Sequence, residues 1–411
     1  MKTLMFYCQH ILGIGHLIRS MEIARGLTQD FRICFINGGE VVQGFQTPPG
    51  VEVVNLPAIK TDAEFRELQA PDGFGSIEAV MEQRKTMLLE LFQRVQPDVL
   101  MVELFPFGRR RFSTELVPFL AQAQAADTKV VCSLRDIVVT KQNQIRHEEK
   151  VCNLINRYFD MLLIHGDPQF MPLEKSFSRV KDLNCEVHYT GYVVQKEGTG
   201  DRRQELSNDG QSTANSLIHP PNSKLHPPNS PLSPLILTSV GGGRFGHELL
   251  ECVVQASVLL EDKIPHHIRV FTGPFSPDQV FARLQQSAVE QSNLTVERYT
   301  PNLLSYMRQA DLSISMAGYN TTLNVLTTGV RAMLLPFTGN DDQEQTLRSE
   351  RLEQLGVVRL IRPEDLHPER FAQKVIDCLS QKPAQINFDL HGVEKTAVLL
   401  RSLVQKSTIA A

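Results

Sequence analysis

The chain has 411 residues, of which 42% are hydrophobic and 21% charged, enough for two or three globular domains with ample core. A formal net charge of −4 leaves no electrostatic footprint for nucleic acid. The seven cysteines are odd in number and scattered, with no CxxC pair and no Cys/His cluster at metal-ligand spacing. They read as reduced, buried thiols of a cytoplasmic protein, which excludes a disulfide scaffold or zinc module.

The opening run Met1–Cys8 is too short for a signal peptide or a membrane span and reads as a first buried strand. Further strands are expected near 31–36, 51–55, 98–102, 129–134 and 161–164. Helices are expected near 17–28, 77–95, 113–126 and 144–158. In the second of these, Ile77, Val80, Met81, Leu88, Leu91, Phe92 and Val95 fall largely on one face, behind Ser76 as a cap. Residues 196–234 break the pattern: a polar stretch leads into His-Pro-Pro-Asn-Ser at 219 and again at 226, a low-complexity linker. The paired histidines admit a metal reading, and a duplicated spacer is the simpler one. Alternation then resumes, with strands near 235–240, 268–272, 294–297, 312–316, 331–336 and 357–361. The helices lie near 247–260, 301–309, 321–328, 343–355 and 368–381, and a last amphipathic helix runs from Leu390 to Leu403. Such alternation makes an α/β protein of two Rossmann-like lobes with parallel sheets facing a central cleft. The divisions are 1–195, a 196–234 linker, 235–388, and a C-terminal helix and tail at 389–411. Ligands would sit in the cleft at the carboxyl ends of the strands.

Several segments carry chemistry. Gly13-Ile14-Gly15-His16 opens the first helix, and the third glycine of a dinucleotide fingerprint is absent. His16 is suited to general-base work on a hydroxyl, or to a plain capping or packing role; His10 is a second candidate. Glu103, at a strand's carboxyl end, could orient a histidine or serve as a salt-bridge partner. Phe105, Phe107 and Phe112 flank Arg109, Arg110 and Arg111, which suits an anionic acceptor, a lipid head-group surface, or a solvated loop. Gly241-Gly242-Gly243-Arg244 offers backbone N–H groups to phosphate without a P-loop ending. Strand 312–316 runs through Ala317 and Gly318 into a helix that Asn320 or Thr321 can cap, a second anion cradle. Pro336–Gln345 bunches carboxylates and amides that suit sugar hydroxyls or an acidic helix start. No Asp-x-Asp occurs, which argues against a metal-bridged diphosphate.

Together these segments resemble the GT-B glycosyltransferases. They are most similar to the group containing the bacterial enzyme that adds N-acetylglucosamine to lipid-linked muramyl-pentapeptide. The ordered series is the glycine loop, Thr272-Gly273-Pro274, Arg298-Tyr299-Thr300-Pro301, Ala317-Gly318-Tyr319-Asn320-Thr321-Thr322, Leu334–Phe337 and Glu344-Gln345-x-x-Arg348. In the first half, Gly13-x-Gly15-His16, Pro97-Asp98, Ser133–Asp136 and Thr190-Gly191-Tyr192 resemble an uncharacterised branch of glycosyltransferases. The resemblance implies that Gly242, Gly243, Gly318, Asn320 and Thr321 line a diphosphate, with Arg244 adding charge. It implies that the backbone around Arg298 and Tyr299 meets the base, and that Glu344 and Gln345 hold the donor sugar. His16 would be the acceptor-side base, with Glu103 beside it, and Gly13, Gly15, Arg109, Arg110 and Arg135 would face the acceptor. Where many relatives carry a ribose-binding Glu, this chain has Asn324.

The function so implied is an inverting, metal-independent transferase with no cofactor, since the nucleotide-sugar, a UDP-sugar in this family, is a substrate. The acceptor is not readable from the sequence, a lipid-linked compound or a glycan being the candidates, and the expected setting is cytoplasmic or peripheral at the inner membrane face. Two alternatives remain open: a nucleotide-sugar 2-epimerase or hydrolase of the same fold, and a non-catalytic nucleotide-sugar-binding protein.

Overall fold

The computed structural model describes residues 1–11, 14–42, 45–61, 67–139, 143–195, 233–339 and 343–410; the His-Pro-Pro-Asn-Ser repeat lies outside them. Two parallel sheets form. The first contains β1 (Lys2–Cys8), β2 (Phe31–Asn37), β3 (Val51–Asn55), β4 (Val99–Glu103), β5 (Lys129–Arg135), β6 (Met161–His165) and β7 (Glu186–Tyr189), in the order β3-β2-β1-β4-β5-β6-β7. The second contains β8 (Leu235–Ser239), β9 (His267–Phe271), β10 (Leu294–Glu297), β11 (Leu312–Met316), β12 (Arg331–Leu335) and β13 (Arg359–Leu360), in the order β10-β9-β8-β11-β12-β13. Central strands such as β4, Val-Leu-Met-Val-Glu, are buried throughout because helices cover both sheet faces. The covering helices of the first lobe are α1 (Gly15–Leu27), α2 (Ile77–Val95), α3 (Ser113–Ala125) and α4 (Gln144–Tyr158). Those that follow are α5 (His247–Glu261), α6 (Asp278–Val289), α7 (Leu303–Gln309), α8 (Tyr319–Thr328), α9 (Glu344–Gln354), α10 (Pro368–Ser380) and α11 (Gly392–Ala410). The Ser76 hydroxyl caps α2 by accepting from Ala79 N–H at 3.2 Å.

Three elements depart from the expectation. β7 is an edge strand whose four residues are only partly buried, so it lacks the apolar run of its neighbours. α6 is not among the expected helices, yet Val280, Phe281, Leu284 and Ala288 pack one face of it on the second-lobe core, with Leu284 alone fully buried. The expected strand 357–361 pairs only through Arg359 and Leu360.

α11 returns to the first lobe. Val393, Ala397, Leu400, Leu403 and Val404 join Leu17, Met21 and Ala24 of α1 in one buried cluster. The approach is close enough that a Cβ on Gly26 would fall 1.9 Å from Val393 Cγ1. Arg401 pairs with Asp30 at 2.8 Å on the same seam.

The carboxyl ends of the two sheets meet. Ile137, Phe170, Met171 and Tyr192 of the first lobe share a buried cluster with Phe271, Tyr319 and Leu323 of the second. The lobes are therefore closed against each other, and the chemistry-bearing residues lie along the seam.

Candidate active site

α1 begins immediately after the β1 turn, so His16 and Arg19, three residues apart, project from one face of its first turns. β4 lies beside β1 and ends in Glu103. His16 Nδ1 sits 2.7 Å from Glu103 Oε1, and Arg19 Nη2 donates to the same oxygen. Glu103 is fully buried. Burial opposes its charge, but His16, Arg19 and Arg109 outweigh that and hold its carboxyl well below the usual carboxylate range. An ionised carboxylate only accepts, so the His16 proton belongs on Nδ1 and Nε2 carries the lone pair. Burial lowers His16 to about 3, with Arg135 and Arg109 acting in the same direction and Glu103 against them. His16 is thus a neutral imidazole with one nitrogen fixed and the other carrying a lone pair; this is the orientation of a general base, with a basicity well below that of a free imidazole. His10 has a different place: it is buried, with Nε2 3.1 Å from Asn37 Oδ1, and stays inside the first lobe.

The second lobe supplies two glycine turns. Gly243 has φ +84°, and a Cβ there would meet Thr272 O at 2.3 Å and Ser276 N at 2.9 Å. The glycine loop and Thr272-Gly273-Pro274 are interlocked, so packing alone requires this glycine. Gly318 is different. Its φ of −60° and ψ of 150° suit any residue, and a Cβ there would meet nothing within 4 Å. Gly242 is similar, with only Phe275 Cδ2 at 3.7 Å.

The expected side-chain cap on α8 is absent. The helix starts at Tyr319, one residue before the proposed caps, and Gly318 is its N-cap, with no side-chain hydrogen bond. Asn320 Nδ2 instead donates across the seam to Gly15 O at 3.2 Å, and Thr321 is buried within the first turn. The Gly318 turn therefore touches the residue preceding His16.

The remaining candidates are placed as follows. Glu344 is buried, accepts from Arg135 Nη1 at 2.9 Å and pairs with Arg348 at 2.8 Å. Arg348 in turn grips Asp136 with two bonds, 3.0 and 2.7 Å. Gln345 Oε1 accepts from Phe337 N–H at 3.0 Å. Arg244 approaches Glu40 of the first lobe at 3.4 Å and lies over the Phe275 ring. Arg298 is tied to Ser276 O and Asp278, and its carbonyl accepts from Gly273 N–H, while Tyr299 is exposed. Asn324 is buried on α8, bordering a gap shared with Ile18, Arg19 and Glu22 of α1. Arg109 Nε donates to Gln9 O at 2.7 Å, and Arg110 is exposed. Gly13 and residues 340–342 lie outside the described residues.

One reading is corrected. Phe105, Phe107 and Phe112 are buried in the first-lobe core, so the Phe/Arg loop presents arginines without an aromatic surface for lipid. Among the described residues, no helix is long and apolar enough to cross a membrane.

Sequence reasoning passed over Arg19 and treated Asp136, Tyr319 and Arg348 as motif letters without contacts. Tyr319 inserts into the first lobe: its hydroxyl donates to His165 O at 2.9 Å, and Arg19 and Arg348 lie 5.3 and 5.1 Å from its ring centre. The i, i+3 spacing of Arg19 from His16 was the available signal.

The two-lobed architecture agrees with comparison to known proteins. Residues 237–394 match the glycosyltransferase family 28 C-terminal domain. An uncharacterised glycosyltransferase of Methanopyrus kandleri is 22% identical over 356 residues, 85% of this chain and 89% of that one. The chain is a glycosyltransferase of the GT-B fold. A UDP-N-acetylglucosamine–N-acetylmuramyl-(pentapeptide) pyrophosphoryl-undecaprenol N-acetylglucosamine transferase from Hahella chejuensis is 27% identical over 145 residues. That match spans 35% of this chain and 39% of the relative. The crystal structure of Acinetobacter baumannii MurG superposes with a TM-score of 0.57 at 15% identity, covering 97% of this chain and 99% of that one. A UDP-GlcNAc 2-epimerase from Methanocaldococcus jannaschii gives 0.61 at 12%, covering 98% and 100%; at such identity both show the fold alone.

Proposed function

We propose that this glycosyltransferase takes its sugar from a UDP-linked donor on the second lobe. It passes the sugar, with inversion and without a metal ion, to a hydroxyl held by the first lobe. The observation that carries this reading is the contact between Asn320 and Gly15, which sets the Gly318 turn beside a histidine whose free nitrogen is a base. The acceptor O–H gives its proton to His16 Nε2. Its oxygen bonds to the anomeric carbon, and the carbon–oxygen bond to the diphosphate breaks on the opposite face. The start of α8 and Gly241 and Gly242 of the glycine loop would offer N–H groups to the departing diphosphate, while Gly243 N–H is bonded to Val240 O at 3.3 Å. Arg109 and Arg135, near enough to bear on His16, favour an acceptor with negative charge close to its hydroxyl.

The test is purified protein with a panel of nucleotide-sugars, scored for bound and released nucleoside diphosphate with and without cell-extract acceptors. His16→Gln should keep UDP binding and lose transfer. A protein that neither binds UDP nor releases it from any donor would remove the reading. Turnover in acceptor-free buffer would turn it towards epimerisation or hydrolysis.

A further inference from the structure

Glu103 poses an electrostatic question. It is a fully buried carboxylate, and an isolated buried charge of this kind costs several kcal/mol or takes up a proton. Its nearest group besides Arg19 is His16, on the same oxygen, while Oε2 is buried without a partner. Without another cation on that oxygen, the carboxylate would draw the imidazole towards imidazolium, which has no lone pair for an acceptor proton.

Arg19 changes that balance. Its guanidinium is 1% exposed, donates to Glu103 Oε1 and brings a permanent charge. Its place is not fixed by the first lobe alone, because it lies 5.3 Å from the ring centre of Tyr319, the first residue of α8. Tyr319 is held in turn by its bond to His165 O and by Arg348, which grips Asp136. We infer that Arg19 is a positioning residue that couples closure of the lobes to the His16 base. With the lobes closed, Tyr319 shelves Arg19, Arg19 neutralises Glu103, and His16 is left uncharged with Nε2 free. With the lobes apart, the shelf is gone and the base is not assembled, which protects the donor from water. The groups facing His16 are Glu103 from β4, Arg109 from the loop after it, Arg135 from the end of β5, and Arg19 from α1 itself. Two of the three arginines therefore remain when Arg19 is removed.

The inference rests on the proposed transfer reaction, but its test does not need an acceptor. The imidazole of His16 is followed by NMR through a pH titration of the full chain, wild type against Arg19→Met and Arg19→Lys. Removing the charge leaves Glu103 to His16, so the titration midpoint should rise by about 1–3 pH units in Arg19→Met, with Arg19→Lys between it and wild type. Tyr319→Leu removes the shelf from the other lobe and should raise the midpoint as well, which carries the test should Arg19→Met not fold. Where a UDP-sugar is turned over, the acid limb of the kcat profile should move with the midpoint while donor KM holds. An unchanged His16 midpoint in folded Arg19→Met, or in folded Tyr319→Leu, overturns the coupling. Failure to bind any UDP-sugar overturns the transfer reading instead and leaves the titration result standing.

Discussion

Gly318→Ala separates a ligand's demand for glycine from the fold's. The backbone at Gly318 is ordinary extended chain, and an added Cβ would meet nothing within 4 Å. Alanine restricts the unfolded chain more than glycine does, by about 0.4–1 kcal/mol, but is a poorer N-cap by a similar amount, so folding stability should change by less than about 1 kcal/mol. The same Cβ projects from the N-cap of α8, where the proposed diphosphate needs close approach to backbone N–H groups. Forcing it back, or losing one charge-assisted bond, costs about 1.5–3 kcal/mol, which is roughly 10- to 150-fold in affinity. Gly243→Ala is the contrast. It places a Cβ 2.3 Å from the Thr272 carbonyl at φ +84°, so it should destabilise the second lobe itself. Urea unfolding with and without UDP, and calorimetric titration of UDP into each variant, read both quantities. Wild-type UDP affinity in Gly318→Ala would refute the assignment of this turn to the diphosphate. Unfolding of Gly318→Ala would refute the claim that packing does not need the glycine.

Three further outcomes are expected. Burial lowers His165 to about 3, and it lies between Ser133 and Thr190 with no exposed surface. The unfolded chain takes up this proton below about 6.5 while the folded one does not, so the group's contribution is lost as pH falls from there towards 3. The slope is about 1.4 kcal/mol per pH unit, and His165→Asn should flatten the measured pH dependence of unfolding by that much. Arg348→Met leaves Asp136 buried with only the Tyr192 hydroxyl at 3.2 Å. It should cost about 3–5 kcal/mol in urea unfolding and enlarge the radius of gyration in solution scattering, with partial recovery by adding Asp136→Asn. Gly26→Ala drives a methyl into Val393 and should cost about 1–3 kcal/mol, recovered by Val393→Ala; an additive pair would mean that α11 does not seat there.

The sequence made the strands legible because buried parallel strands are continuous apolar runs, and β4 and β11 read almost letter by letter. It made the glycine loops legible because three adjacent glycines between a strand and a helix have few packing uses. It did not reveal which glycine answers to packing and which does not, since that depends on where Thr272 comes to lie against Gly243. Nor did it reveal the seam. Asn320 reads locally as a helix cap, yet its amide reaches Gly15, more than 300 positions away. Arg19 of the first lobe is buried against Tyr319 of the second, and Arg348 of the second is buried against Asp136 of the first, partners that no local pattern announces. Periodicity and capping rules see one helix at a time, so residues whose partners come from another lobe are those they misplace.

The charges along the seam fit a cleft that receives an anion. Glu103, Asp136 and Glu344 are matched by Arg19, Arg348 and Arg135, a set in which each carboxylate has at least one guanidinium at bonding distance. Arg109 stands outside it. Among the described residues it makes no ion pair; its Nε is spent on the Gln9 carbonyl, and burial lowers its pKa, with Arg135 adding repulsion. Arg109 is half-buried, and the opposite charge that bears on it, Glu103, is already bonded to Arg19, so its own charge is only partly offset, which is costly to the fold. Arg109 is held in left-handed backbone at φ 58° as well, so its position is not the cheapest available. The expense is reasonable where a substrate's negative charge completes the balance. On the proposed transfer reading Arg109 would serve the acceptor side, beside His16, where charge on the substrate would be neutralised as the hydroxyl gives up its proton.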